Sequence, residues 1–185
     1  MCRAARVFTV LLLVAGWTFV PVVAPAAQAR TSCGGGSTVP GPANLAQIER
    51  STLCLINVQR RAHGLHGVRS NSLLRLAAIR HSREMVNQRY FDHTSRDGRN
   101  FVARIRQTGY FQRAGFWRAG ENLAWAVGPN SAPRAIVRAW MNSPPHRLTL
   151  LTPGFRAVGV GVIPGSPRFK GRGVTYTTDF GYRRQ

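Results

Sequence analysis

Apolar residues recur along this chain with two different periods, and the change of period divides it. Leu45, Ile48, Leu55, Ile56 and Gln59 fall near one side of a helix. Asn44 stands at the cap position with Gln47 as its capping-box partner, and Gly64 stops the helix. A second helix starts at Asn71 or Ser72, where Leu73, Ala77, His81 and Met85 recur every four residues on one face. Residues 90–95 are a loop and Asp97-Gly98 a turn. Asn100 caps a short third helix through Phe101 and Ile105, ending at Gly109. Ser131 caps a fourth, with Pro133 in its first turn and Ile136, Val137, Trp140 and Met141 on its buried side. Pro144-Pro145 breaks it, and 146–151 form a further turn or short helix.

The period then shortens to two. Val158, Val160 and Val162 alternate with Gly159 and Gly161, which predicts a strand whose glycine face lets another element pack close. Residues 174–180 form a second strand antiparallel to it, and 116–125 a strand carrying Gly120-Glu121-Asn122. Helices over 45–63, 72–89 and 131–142 are expected to pack on a sheet that includes 157–163 and 174–180. With no regular β-α-β alternation, the fold class is α+β and layered.

The first 29 residues stand apart. Arg3 and Arg6 precede an apolar run over 7–23, followed by Ala27-Gln28-Ala29, the order of a secretory signal peptide with a small-residue cleavage site. Cleavage leaves Arg30 first. Residues 30–43 then read as a flexible tether and 44–185 as the domain. Arg30-Thr31-Ser32 before Cys33 is not the apolar run that lipid attachment requires. Cys33 and Cys54 remain as an even pair in an oxidising setting, so a bridge between them ties the Gly-rich segment to the first helix.

Composition narrows the partners. The 185 residues carry 26 basic and 6 acidic side chains, a net charge of +20, while 44% hydrophobic content excludes a disordered chain. All the basic residues except Lys170 are arginines, scattered rather than gathered into a stripe, so no specific nucleic-acid reader is expected. Weak, salt-sensitive adhesion to an anionic cell wall or membrane surface follows from the charge alone.

Chemistry is sought where acids and histidines meet: Asp92-His93, Glu121-Asn122 and His146-Arg147. Two imidazoles and a carboxylate suit a zinc-type ion or acid–base work. No His-Glu-x-x-His run or Gly-rich phosphate loop accompanies them. His81 reads as a core or cavity-wall histidine, Asp92 and Asp97 as turn caps, and Trp117, Trp125 and Trp140 as core. Ser82 and Ser143 lie in no nucleophile elbow.

Taken in order, the motifs are Leu76-Ala77-Ala78, His81-Ser82, Met85, Tyr90-Phe91-Asp92-His93-Thr94-Ser95 and Asp97-Gly98, followed by Gly120-Glu121-Asn122-Leu123-Ala124. Trp140-Met141-Asn142-Ser143-Pro144, His146-Arg147, Val158-Gly159-Val160-Gly161 and Thr178-Asp179-Phe180-Gly181 complete the series. From about Asn44 to Tyr182 this resembles the bacterial branch of the CAP superfamily, the SCP domains of cysteine-rich secretory, antigen 5 and pathogenesis-related proteins. The resemblance implies a three-layer α-β-α sandwich with a central, largely antiparallel sheet. It also implies a cleft in which His93, Glu121 and His146 match the family's two histidines and one of its two acids. Ser143 stands where animal and plant members carry the second acid, so His93, His146 and Glu121 form an incomplete zinc set that holds the ion weakly. No other cofactor is implied. The function implied is that of an exported, non-enzymatic domain binding a small, lipid- or sterol-like ligand, or a partner, through this cleft. The alternative is a secreted metal-dependent hydrolase using His93, His146 and Glu121.

Overall fold

The computed structural model describes residues 33–184, so the segment read as a signal peptide lies outside the described residues. Helix α1 spans Leu45–Ala62, strand β1 Arg69–Ser70, α2 Ser72–Gln88, α3 Phe101–Gln107 and β2 Phe116–Ala126. A 3-10 turn, Gly128–Ser131, leads into α4, Pro133–Asn142, then α5, Pro144–Leu150, and finally β3, Ala157–Pro164, and β4, Val174–Arg184. The sheet order is β1-β3-β4-β2; only β1 and β3 run parallel.

The alternation along β3 builds the layers. Val158, Val160 and Val162 join Ile48 and Ile56 of α1, Trp140 of α4, and Tyr176 and Phe180 of β4 in one buried cluster. Gly159 and Gly161 face the other way and take the backbone of α2 directly: a Cβ on Gly159 would lie 2.0 Å from the Leu74 carbonyl carbon. Along β4 the same parity holds, since Thr177 meets Ser82 of α2 (2.8 Å between hydroxyls) while Tyr176 packs edge-on to Trp140. The result is the three-layer α-β-α sandwich with a largely antiparallel centre.

Two buried arginines hold parts that apolar packing does not. Arg60, with no exposed surface, donates to the carbonyls of His66 (2.9 Å), Leu150 (2.7 Å) and Thr152 (3.0 Å). It thereby fastens the end of α1 to the end of α5. Arg104 fastens the loop before α3, as described below.

Several local expectations change. Asn44 does not cap α1: its side chain turns back, accepting from the Gly41 amide (2.8 Å) and donating to the Val39 carbonyl (3.1 Å). Ser131 closes the 3-10 turn by donating to the Gly128 carbonyl (2.6 Å), and Ala132 occupies the cap position of α4. On α2 the fully buried stripe is Leu74, Ala77, Ala78, His81, Ser82 and Met85, with Leu73 only half-buried. Trp140 is core (1% exposed), but Trp117 is 37% exposed and Trp125 half-buried. The cap at Asn100, which accepts from the Ala103 amide, stands as expected, and of the two starts open for α2 Asn71 is the cap, accepting from the Leu73 and Leu74 amides.

The described part of the segment expected as a tether is pinned down. Cys33 and Cys54 form a disulfide, Ser51 Oγ donates to the Gly34 carbonyl, and the Arg134 amide donates to the Gly36 carbonyl (2.8 Å).

Candidate functional site

The site begins where α2 stops. Arg89 turns into the left-handed region (φ 52°), and the chain leaves the helix as the 90–100 loop. Asp92 Oδ1 accepts from the Thr94 amide (2.7 Å), and Asp97 Oδ1 from the Arg99 amide (3.1 Å), so both acids cap turns. The Asp92 carbonyl accepts from His81 Nε2 (2.9 Å). That bond fixes the proton of neutral His81 on Nε2 and leaves Nδ1, which has no hydrogen-bond partner, 3.8 Å from Glu84 Oε2. Burial holds the His81 pKa below the ordinary histidine value, against the pull of nearby Glu121.

These turns present His93 to β2. Its Nδ1 donates to Glu121 Oε1 (2.8 Å); the ring is half exposed and the carboxylate buried. The other Glu121 oxygen, Oε2, accepts from Arg104 Nη2 (2.7 Å). Arg104 Nη1 also donates to the carbonyls of His93 (2.9 Å) and Arg99 (3.0 Å) and to Ser95 Oγ (3.2 Å). One buried guanidinium thus neutralises Glu121 and positions the backbone of the histidine that Glu121 holds.

Across the sheet Glu121 faces Asp179, its register partner on β4. Asp179 is fully buried and neither carboxyl oxygen has a hydrogen-bond partner among the described residues. Burial first, then the proximity of Glu121, pushes its pKa well above the carboxylate range, so Asp179 holds its proton.

His146 enters from the first turn of α5, with its carbonyl accepting from Asn122 Nδ2 (2.9 Å). Burial and the neighbouring charge of His93 both lower its pKa. His146 and Ser143 border a groove of about 530 Å³ between β2 and α4, whose apolar wall includes Phe91, Leu123, Trp125 and Trp140. His93 and Glu121 are therefore in contact, and His146 lies within electrostatic range of His93.

Glu121 commits both oxygens to His93 and Arg104, and among the described residues no three His, Cys, Asp or Glu side chains lie together to share an ion. Ser82 is buried and bonded to Thr177, which places it in the structure rather than in chemistry.

The profile of the cysteine-rich secretory protein family, CAP, matches residues 53–180. The chain belongs to the CAP family. The Bacillus subtilis protein YkwD, itself uncharacterized, is 30% identical over 140 residues, which is 76% of this chain and 50% of that protein. This CAP chain thus spans about half the length of that relative. An extracellular SCP-domain protein from Bacillus anthracis is 28% identical with a TM-score of 0.60, over 79% of this chain and 44% of that one. An outer surface protein from Borrelia burgdorferi shares the fold at 23% identity and TM-score 0.58, over 71% of this chain and 90% of that one.

Two CAP-site residues escaped sequence reasoning. Arg104 looked like one arginine among many; the signal for it was the need of a buried Glu121 for a counter-charge. Asp179 was visible as a rare acid, but only the β2–β4 register places it opposite Glu121.

Proposed function

We propose that this CAP protein is exported and works by binding: it holds a small, lipid-like amphiphile in the groove between β2 and α4. The signal-like residues 1–29, the Cys33–Cys54 bridge and the extracellular standing of the Bacillus anthracis neighbour support export. One observation carries the binding reading. The 530 Å³ groove joins an apolar wall, Phe91, Leu123 and Trp125, to a polar end at Asn142, Ser143 and His146. That is the composition of a ligand site: mostly apolar lining with a few polar groups to fix orientation. The apolar part takes an acyl or ring system, and the polar end takes its head. The hydrolase alternative draws less support, because Glu121, the residue that would activate water, is buried and already accepts from His93 and Arg104.

Native mass spectrometry of protein recovered from the medium of its own host tests the proposal. The expected spectrum shows a mature chain starting at Arg30 with a lipid-range adduct that organic extraction removes. A ligand-free chain that also fails to take up added fatty acid or sterol overturns the binding reading, and a chain still starting at Met1 overturns export.

A further inference from the structure

Four arginines that look scattered in sequence line one cleft beside α2 and α3: Arg80, Arg96, Arg99 and Arg104. The cleft encloses about 550 Å³, within the range of small-ligand sites. It is separate from the β2–α4 groove, with no lining residue in common.

The four differ in what they already hold. Arg99 is occupied, donating to Asp97 Oδ2 (2.6 Å) and to Gln107 Oε1 (2.5 Å). Among the described residues neither Arg80 nor Arg96 makes an ion pair; Arg96 lies over the Tyr90 ring, 5.1 Å from its centroid. Arg104 is 4% exposed and uses its Nη atoms on the Glu121 side, yet its buried Nε has no hydrogen-bond partner. That unmatched N–H lies beneath the surface of the cleft wall, so it reports a change in the cleft without itself being a contact. Guanidinium groups converging from α2, a loop and α3 suit a tetrahedral oxyanion, whose oxygens point in several directions. The remaining walls select further. Glu84 Oε1 and the Gln88 and Gln107 amides remain to meet hydroxyl groups, since Glu84 Oε2 accepts from Ser95 and Gln107 Oε1 from Arg99.

We propose that this cleft binds a sugar phosphate or polyol phosphate. The phosphate sits between the exposed Arg80 and Arg96, with the Arg104 charge in the wall behind them, and the hydroxyls meet Glu84 and the two glutamines. The site stands independently of the lipid groove. Arg104 links it physically to His93 and Glu121, since this residue lines the cleft wall and also donates to both of them.

Calorimetry on the purified protein with glucose 6-phosphate, glucose and inorganic phosphate tests this. Glucose 6-phosphate is expected to bind at one equivalent, at least about tenfold tighter than either fragment. Arg80→Ala with Arg96→Ala, both at exposed positions, should weaken it by about tenfold or more, whereas Arg138→Ala with Arg168→Ala should not. In nitrogen-15 spectra the Arg104 Nε–H signal should shift with the sugar phosphate. Equal binding of phosphate and glucose 6-phosphate, equal loss in both double variants, an unmoved Arg104 signal or no saturable binding would each overturn the proposal. A failure here with lipid uptake intact leaves the groove reading untouched, and the reverse holds as well.

Discussion

Glu121 and Asp179 lie directly opposite one another on β2 and β4, both buried on the α2 side of the sheet, and only Glu121 has partners for its carboxylate. Two adjacent buried carboxyls cannot both ionise cheaply, so the one without a cation keeps the proton. The sign of the pH effect follows. Asp179 has a folded pKa above its unfolded one, so its stabilising contribution is present at low pH. That contribution is lost as pH rises from the ordinary carboxylate range through the folded value. Asp179→Asn keeps the shape and removes the titration. Its melting temperature should exceed wild type by several degrees at pH 8 and match it near pH 4. His81 works in the opposite sense. Its lowered folded pKa means stability is lost as pH falls through about 6.5, so the variant should retain that acid-side loss. Thermal melts across pH check both; an Asp179→Asn variant destabilised equally at every pH would refute the assignment of the proton to Asp179.

What the sequence disclosed depended on whether the information was local. Val158 to Val162 alternate within five positions, so the strand and its glycine face were legible, and the structure seats α2 on that face. Asn100 was legible as a cap, and the start of α2 to within one residue at Asn71 or Ser72, because a cap acts over two or three residues. Asn44 and Ser131 misled because each has a competing local partner, the Gly41 amide and the Gly128 carbonyl. Arg60 was illegible: its acceptors at Leu150 and Thr152 lie 90 and 92 residues away, and a buried arginine has no periodic signature. The His93–Glu121 contact was expected from family resemblance rather than from spacing, since it joins a loop to a strand 28 residues on.

Gly159 is a demanding test of the layer architecture. Any Cβ there meets the α2 backbone at 2.0 Å, and backbone cannot rotate away as a side-chain tip can. Gly159→Ala should destabilise by more than about 4 kcal/mol and leave little folded protein. Gly34→Ala, where a Cβ meets nothing within 4 Å, should be neutral within about 0.5 kcal/mol. Denaturant titration of the two variants checks the contrast.

The Cys33–Cys54 bridge closes a loop of 21 residues and pins the described part of the N-terminal segment to α1. Replacing both cysteines by serine should cost about 3 kcal/mol by chain entropy. The loss should appear in the midpoint of urea unfolding, and proteolysis should then begin within 33–43. A double variant as stable and as protease-resistant as wild type would contradict this.

Zinc affinity tests the role of Ser143. With Glu121 committed to His93 and Arg104, the wild type should bind zinc weakly and lose it as pH falls through the ordinary histidine range. Ser143→Glu adds a carboxylate beside His146 and should tighten binding on the order of tenfold. Calorimetry with zinc alone decides; tight stoichiometric binding by the wild type would overturn the assignment.

The groove can be closed without touching the core. Ala139 lines it from α4 and is exposed, so a larger side chain there projects into the groove and not into the packed layer below. Ala139→Trp should fill much of the space against Trp125 and Phe91 and leave the melting temperature unchanged. Uptake of a long-chain fluorescent fatty acid should then fall by about tenfold or more, because acyl groups excluded from the groove stay in water at roughly 0.8 kcal/mol per CH₂. In the wild type, ligand entry should shift the emission of half-buried Trp125, and Trp125→Phe should remove that signal while keeping most of the affinity. Undiminished uptake by a folded Ala139→Trp protein would place the ligand elsewhere and refute this groove as the binding site.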